Sequence, residues 1–216
     1  MTDAGRVIAG SARGTRLRGP GEGTRPLADR VKQTLFAILE PDLAGANVLD
    51  LFAGSGAGGI EALSRGAASA TFVERDADAT RVIAENLDRA RLSERGHIVG
   101  ADVAAYLAGR AHSDGPFDVV LIDPPYAESG LIGATLLRLA AAEPALVTPG
   151  VWIVAKHFWR TPPPATAGLL ASVRNRRFGE TALTFYRRVD AALRNGESVE
   201  DVTPDRSPAR PEEAAR

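Results

Sequence analysis

Apolar positions along the chain switch between two periods in a regular order. Short β-branched runs, Asn47–Phe52, Ala70–Glu74, His97–Gly100, Phe117–Ile122 and Val151–Ala155, read as strands. Between them Gly59–Arg65, Asp78–Arg91, Val103–Ala108 and Leu131–Ala142 place apolar residues at helical spacing. Strands alternating with helices predict βαβ crossovers and an α/β fold whose mostly parallel sheet is covered on both faces. Two later runs, about Ser172–Phe178 and Ala182–Arg188, break the alternation. With only Gly179–Thr181 between them, they predict an antiparallel hairpin. Ahead of the first strand, Val31, Leu35, Ile38 and Leu39 share one face of a short helix, Asp29–Leu39, with Asp29 available as N-cap and Pro41 stopping it.

Composition narrows the class. The 216 residues are 44% hydrophobic and 25% charged, ordinary proportions for one globular domain with appendages. The absence of cysteine excludes disulfides, thiolate metal sites and a Cys nucleophile. The first residues lack an apolar signal region, and no run approaches the roughly 18 apolar residues of a membrane helix, so a cytoplasmic protein is expected. His97, His112 and His157 are scattered, which gives no reason to expect a metal.

The net charge of −1 is a sum of unlike parts. Residues 1–32 balance at +4, residues 33–189 at −2 and residues 190–216 at −3. Three segments are therefore expected: a basic extension over 1–28, a domain over 29–189 and an acidic, disordered tail over 190–216. Arg6, Arg13, Arg16, Arg18, Arg25, Arg30 and Lys32 are candidate contacts to a phosphate backbone. Val7, Ile8 and Leu17 argue for a docked strand pair in the extension rather than a loose solubilising arm. Arg176–Arg177 and Arg187–Arg188 read as solvated positions, Trp152 as core and Trp159 as rim.

The first strand runs into V48-L-D-L-F-A-G-S-G-A-G-G59, in which Gly54, Gly56 and Gly59 match G-x-G-x-x-G. A tight strand-to-helix turn without side chains lets a ligand approach the backbone and the helix N-terminus, while Glu74, at the end of the second strand, can accept ribose hydroxyls. A dinucleotide site is a real competitor on these features. Asp50 separates the readings, because a carboxylate inside the strand end gains nothing from an anionic pyrophosphate but suits a ligand with an ammonium and a sulfonium. The plainer alternative for Asp50 is a cap on the turn. Asp102 either accepts from an adenine amino group or caps the next helix.

The fourth strand ends in Asp123-Pro124-Pro125-Tyr126. Two prolines lock the backbone there and aim the Asp123 carboxylate and the Pro124 carbonyl into the crevice at the strand ends. Methyl transfer to an amine conjugated with an aromatic ring needs this pair. The two acceptors take its N–H groups, turn its lone pair toward the methyl donor and stabilise the charge developing on nitrogen. Tyr126 can stack on the ring. A proline-rich turn with no catalytic role is the alternative.

Together D50-L-F-A-G-S-G and I122-D-P-P-Y resemble the class I S-adenosylmethionine (AdoMet)-dependent methyltransferases that modify exocyclic amines of nucleobases. R6-V-I-A-G-S-A-R-G, T24-R-P-L-A-D-R-V-K-Q-T-L-F-A-I-L and G54-S-G-A-G-G-I-E-A-L-S-R-G-A resemble, more narrowly, the bacterial 16S rRNA guanine-N2 methyltransferase family, from about Arg6 to Arg188. The resemblance implies a Rossmann-like sheet of seven strands, the last antiparallel, with a hairpin-like N-terminal extension. It implies S-adenosyl-L-methionine as co-substrate, held by Asp50, Phe52, Ala53, Gly54, Ser55, Gly56, Glu74, Arg75 and Asp102, with no metal. Asp123, Pro124, Pro125 and Tyr126 form the catalytic group. The implied partner of a monomeric enzyme is one guanine of 16S rRNA in the assembling 30S subunit. A DNA adenine-N6 or cytosine-N4 methyltransferase and a non-enzymatic RNA-binding assembly factor stay open. Gly58 and Leu27-Ala28 depart from the family in the turn and the first helix. Lys156 stands where an acid is frequent after the fifth strand; it alters the RNA-facing rim or, on the plainer reading, is a solvated lysine.

Overall fold

The structure, a computed structural model, describes residues 2–21, 28–109, 114–125, 128, 130–142 and 146–189. The expected acidic tail, Arg25 and Tyr126 lie outside these residues. A short antiparallel pair, β1 (Thr2–Arg6) and β2 (Arg16–Gly19), opens the chain and is followed by α1 (Asp29–Leu39). Then come β3 (Asn47–Leu51), α2 (Ala57–Ser64), β4 (Ser69–Glu74), α3 (Ala77–Ala90), β5 (Gly96–Gly100), α4 (Val103–Ala108) and β6 (Phe117–Ile122). The chain continues through α5 (Gly130–Ala141), β7 (Val147–Phe158), β8 (Thr166–Ala167), β9 (Leu170–Phe178) and β10 (Thr181–Arg188).

The main sheet has the order β5-β4-β3-β6-β7-β10-β9-β8, eight strands where seven were expected. The addition is β8, two residues pairing with Leu170 and Ala171, too short to leave a periodic signal. β3 to β7 are mutually parallel, and β10 enters antiparallel between β7 and β9. Alternation along the strands divides the core in two. Val48, Phe72, Leu121, Val154 and Phe185 pack under α1, α2 and α3, whereas Leu49, Val73, Val120, Ile153 and Tyr186 pack under α4 and α5. The sheet is thus buried on both faces, as a parallel sheet requires. Asp29 does not cap α1: Ala28 holds that position without a side-chain bond, and Asp29 instead pairs with Arg6 at 3.2 Å.

The N-terminal extension is docked, not loose. Ala4, Val7, Ala12 and Leu17 are buried in the same core as α1 and α2. Polar side chains fix its backbone: Glu61, fully buried, accepts from the Ile8 and Ala9 N–H groups at 2.7 and 3.0 Å. Ser64 Oγ donates to the Ala9 carbonyl and accepts from Ala12 N–H. Asn86 accepts from Arg18 N–H and donates to the carbonyls of Arg18 and Ser55, which joins β2 to the glycine turn. Gly10 has φ +84° and its missing Cβ would lie 1.8 Å from the Ser64 carbonyl oxygen. Gly10→Ala is therefore expected to undock the extension and cost at least about 2 kcal/mol, read as a lower urea midpoint.

Candidate active site

Strand connections run in opposite directions from β3 and β6, so their carboxyl ends splay apart and leave a crevice at that switch point. A cleft of about 730 Å³ opens there, within the range of small-molecule sites. Asp50, Phe52, Ala53, Gly54, Ser55, Glu74, Arg75, Asp102, Asp123, Pro124 and Pro125 all line it, so residues separated by more than 70 positions in sequence converge on one space. Gly56, expected to touch the cofactor, does not line the cleft; a Cβ there would stand 3.2–3.3 Å from Ile83, Ile60 and Phe72, so it serves packing. Pro20 and Gly21, just after β2, form part of the wall, as do Asp76 and Asp78 at the start of α3. None of these four carried a recognisable signal in the sequence, because their place depends on how the extension and α3 pack.

The turn after β3 needs unusual backbone. Phe52 takes φ +60°, a conformation side chains rarely adopt, and Gly54 and Gly56 take +54° and +75°. At Gly54 a Cβ would meet nothing within 4 Å, so the backbone itself forms the wall of the cleft. At Gly59 the reason is packing: a Cβ would stand 2.4 Å from the Phe72 ring. Glu74 ties the turn to β4, with Oε2 accepting from Gly54 N–H at 2.8 Å and Oε1 from Asp76 N–H at 2.9 Å. A carboxylate has about four acceptor sites, so ligand hydroxyls can still be accommodated. Asp102 caps α4, accepting from Ala104 N–H at 2.8 Å, while lining the cleft. Arg75 pairs with Glu128 at 2.9 Å on the rim.

Asp50 is 4% exposed and accepts from the Gly59 N–H at 2.8 Å, within α2. Burial pushes its pKa up to about 7; the Gly59 bond opposes this, and the charges of Asp123 and Glu74 add to it. A cation entering the cleft would favour its ionised form.

Asp123 follows β6, its N–H directed at the Leu51 carbonyl of β3. Lys156 holds it. Its ammonium lies 2.7 and 2.8 Å from the two carboxylate oxygens, and its side chain is only 13% exposed. The expected solvated lysine is thus a half-buried partner of the catalytic candidate. The cause is register, since β7 pairs Ala155 with Ile122 and so sets Lys156 beside the residue after β6. An amine approaching Asp123 must share or displace this ammonium.

The basic candidates divide. Lys32 cannot serve as a phosphate contact, because it is fully buried and its ammonium bonds to the Arg6 carbonyl. Burial lowers its pKa, which Glu61 and Asp29 oppose. Arg6 and Arg16 are exposed and Arg18 half-buried, but they face Asp29, Asp3 and Glu85 at 3.2, 3.6 and 2.7 Å. Arg13 and Arg30 are exposed.

Sheet order, antiparallel β10 and the cleft at the switch point define a Rossmann-like methyltransferase fold. YhhF of Escherichia coli, provisionally described as a methyltransferase, shares it with a TM-score of 0.75 at 31% identity, over 85% of this chain and 97% of that one. Residues 5–187 match the family described as conserved hypothetical protein 95, and the chain belongs to it. YlbH of Bacillus subtilis, provisionally named an rRNA methyltransferase, is 37% identical over 184 residues, 85% of this chain and 98% of that protein. The ribosomal RNA small subunit methyltransferase D of Escherichia coli is 39% identical over 132 residues, 61% of this chain and 64% of the relative. By this kinship the chain is a methyltransferase. Among the described residues no helix is long and apolar enough to cross a membrane.

Proposed function

We propose that this protein methylates the N2 amino group of a guanine in 16S rRNA, using S-adenosylmethionine and acting on the assembling small subunit. The observation that carries the reading is that Asp123-Pro124 and the buried Asp50 open into one cleft from opposite sides of the switch point. The relatives named for rRNA methylation support the substrate class.

The residues present fit the cofactor. Asp50 is a buried carboxyl that suits an ammonium or sulfonium once ionised, the side-chain-free wall at Gly54 admits close approach, and Glu74 offers acceptors for a ribose. S-adenosylmethionine bound there supplies a methyl group on a sulfonium. The remaining steps belong to the chain. The Asp123 carboxylate and the Pro124 carbonyl accept the two N–H groups of the target amine, which fixes its otherwise delocalised lone pair toward the methyl donor. As nitrogen gains positive charge, Asp123 stabilises it and is the nearest base for the proton that leaves. The base must be unstacked to reach Asp123. Tyr126 is proposed to stack on it, and Arg13 and Arg30 to meet flanking phosphates.

Incubation with methyl-labelled donor and, separately, 16S rRNA, partly assembled small subunits and DNA tests the reading. Label in rRNA that mass mapping assigns to N2-methylguanosine is expected. Label confined to DNA, as N6-methyladenine or N4-methylcytosine, would replace it with the DNA enzyme.

A further inference from the structure

The segment from the end of β7 through β10 carries more positive charge than residues 1–32. From Trp159 to Arg188 the chain has six arginines and one acid, a balance of +5 against +4 for residues 1–32. The two regions also hold their charge differently. In the extension Arg6, Arg16 and Arg18 each face a carboxylate, and Lys32 is buried. Arg160, Arg174, Arg176 and Arg177 are exposed, and none of them takes part in an ion pair among the described residues.

Their placement is ordered relative to the cleft. β9 pairs Arg176 with Leu183, and β10 pairs Leu183 with Lys156, which touches Asp123. Cross-strand partners project to the same face, so Arg176 stands in one transverse row with Lys156 and Asp123. Three strand spacings separate Arg176 from Asp123, about 14 Å. Arg174 lies two residues along on that same face. On the opposite face, beyond the end of β7, the guanidinium of Arg177 stacks 3.5 Å from the centroid of the Trp159 ring, with that of Arg160 at 5.0 Å. β8 covers only Leu170 and Ala171, which leaves Val173–Phe178 as an open edge from which long side chains of both faces reach outward.

An edge strand often carries charge merely to prevent pairing with another chain. That role requires no alignment with the catalytic carboxylate and no aromatic brace. We propose that β9, with the end of β7, is a phosphate-gripping surface for the RNA that flanks the target nucleotide. Arg174 and Arg176 grip from one face of the edge, and Arg160 and Arg177, braced on Trp159, from the other. This surface rests on the RNA reading above.

The test uses the full chain and two double variants, Arg174→Gln with Arg176→Gln and Arg160→Gln with Arg177→Gln. Binding to a 16S rRNA transcript is measured across a salt series, alongside AdoMet affinity by calorimetry and the aggregation state by sedimentation. Each double variant is expected to bind rRNA about tenfold more weakly at physiological salt, with AdoMet affinity kept. Its log K against log salt slope should be shallower by about 1.4 to 1.8, for two lost phosphate contacts. The corresponding Arg→Lys variants should keep the wild-type slope. Wild-type slope and affinity in both Gln variants overturn the surface, and aggregation with an unchanged slope in the monomer assigns these arginines to edge protection instead. A wild-type chain that binds no rRNA at any salt overturns the RNA reading as well, which separates the two failures.

Discussion

Asp123→Ala is expected to lower methyl transfer by about 10²–10³-fold or more while leaving AdoMet affinity within a few-fold of wild type. The reason is a division of labour inside one cleft. Asp50, Glu74 and the glycine turn lie on the β3–β4 side, and Asp123 with Pro124 on the β6 side. Removing the Asp123 carboxylate takes away the acceptor that orients the amine and the charge that stabilises it in the transition state, but none of the groups assigned to the cofactor. The variant also removes the carboxylate that faces the Lys156 ammonium, so it needs a fold control. Asp123→Asn supplies one, because it keeps the shape and one acceptor oxygen while removing the charge. An Ala variant with full turnover would sink the mechanism. A folded Asn variant with intermediate activity would apportion the loss between geometry and charge.

The second large effect concerns Asp50. With its pKa raised to about 7 by burial, the carboxyl is largely protonated in the empty protein at mildly acid pH. A cationic ligand requires the ionised form, so binding must expel a proton there. AdoMet affinity is therefore expected to rise with pH up to about 7 and to level off above it. Between pH 7.5 and 5.5 the loss should approach roughly twentyfold, with proton release seen as a buffer-dependent calorimetric enthalpy. Asp50→Asn keeps an acceptor for the Gly59 N–H but is expected to bind AdoMet about 10–100-fold more weakly at pH 8, without the pH dependence.

The same group makes an opposite prediction for stability. A carboxyl whose folded pKa lies above its unfolded value of 3.8 favours the fold when protonated. That contribution is complete below about pH 4 and is lost as pH rises through about 7. Asp50→Asn should therefore melt higher than wild type at pH 8, by an amount of the order of a few kcal/mol, while binding worse. A variant that melts lower and binds normally would contradict both the burial and the role.

Much of this site is legible in the sequence alone. The glycine turn, Asp50 and Asp123-Pro124-Pro125 each sit within a few residues of a strand end, and local rules of turn geometry and strand period place them there. The role of Lys156 is not legible there, because its partner is 33 positions away and is brought to it only by the pairing of β7 with β6. The burial of Lys32 is hidden for a similar reason. Its charge was visible in the sequence, but whether that charge faces solvent depends on the extension folding back over α1.

The sequence by itself determined the order of strands and helices, the parallel character of the central sheet and the residue types at its carboxyl ends, because these follow from short-range periodicity and backbone chemistry. Only the tertiary structure decided which charges remain available. Burial silenced Lys32, and ion pairs engaged Arg6, Arg16 and Arg18. Strand register set Lys156 on Asp123 and aligned Arg176 with both, leaving the β9 edge exposed. Charge is a property of a residue, but its field at a ligand depends on distance and dielectric, and both are fixed by contacts between segments remote in sequence.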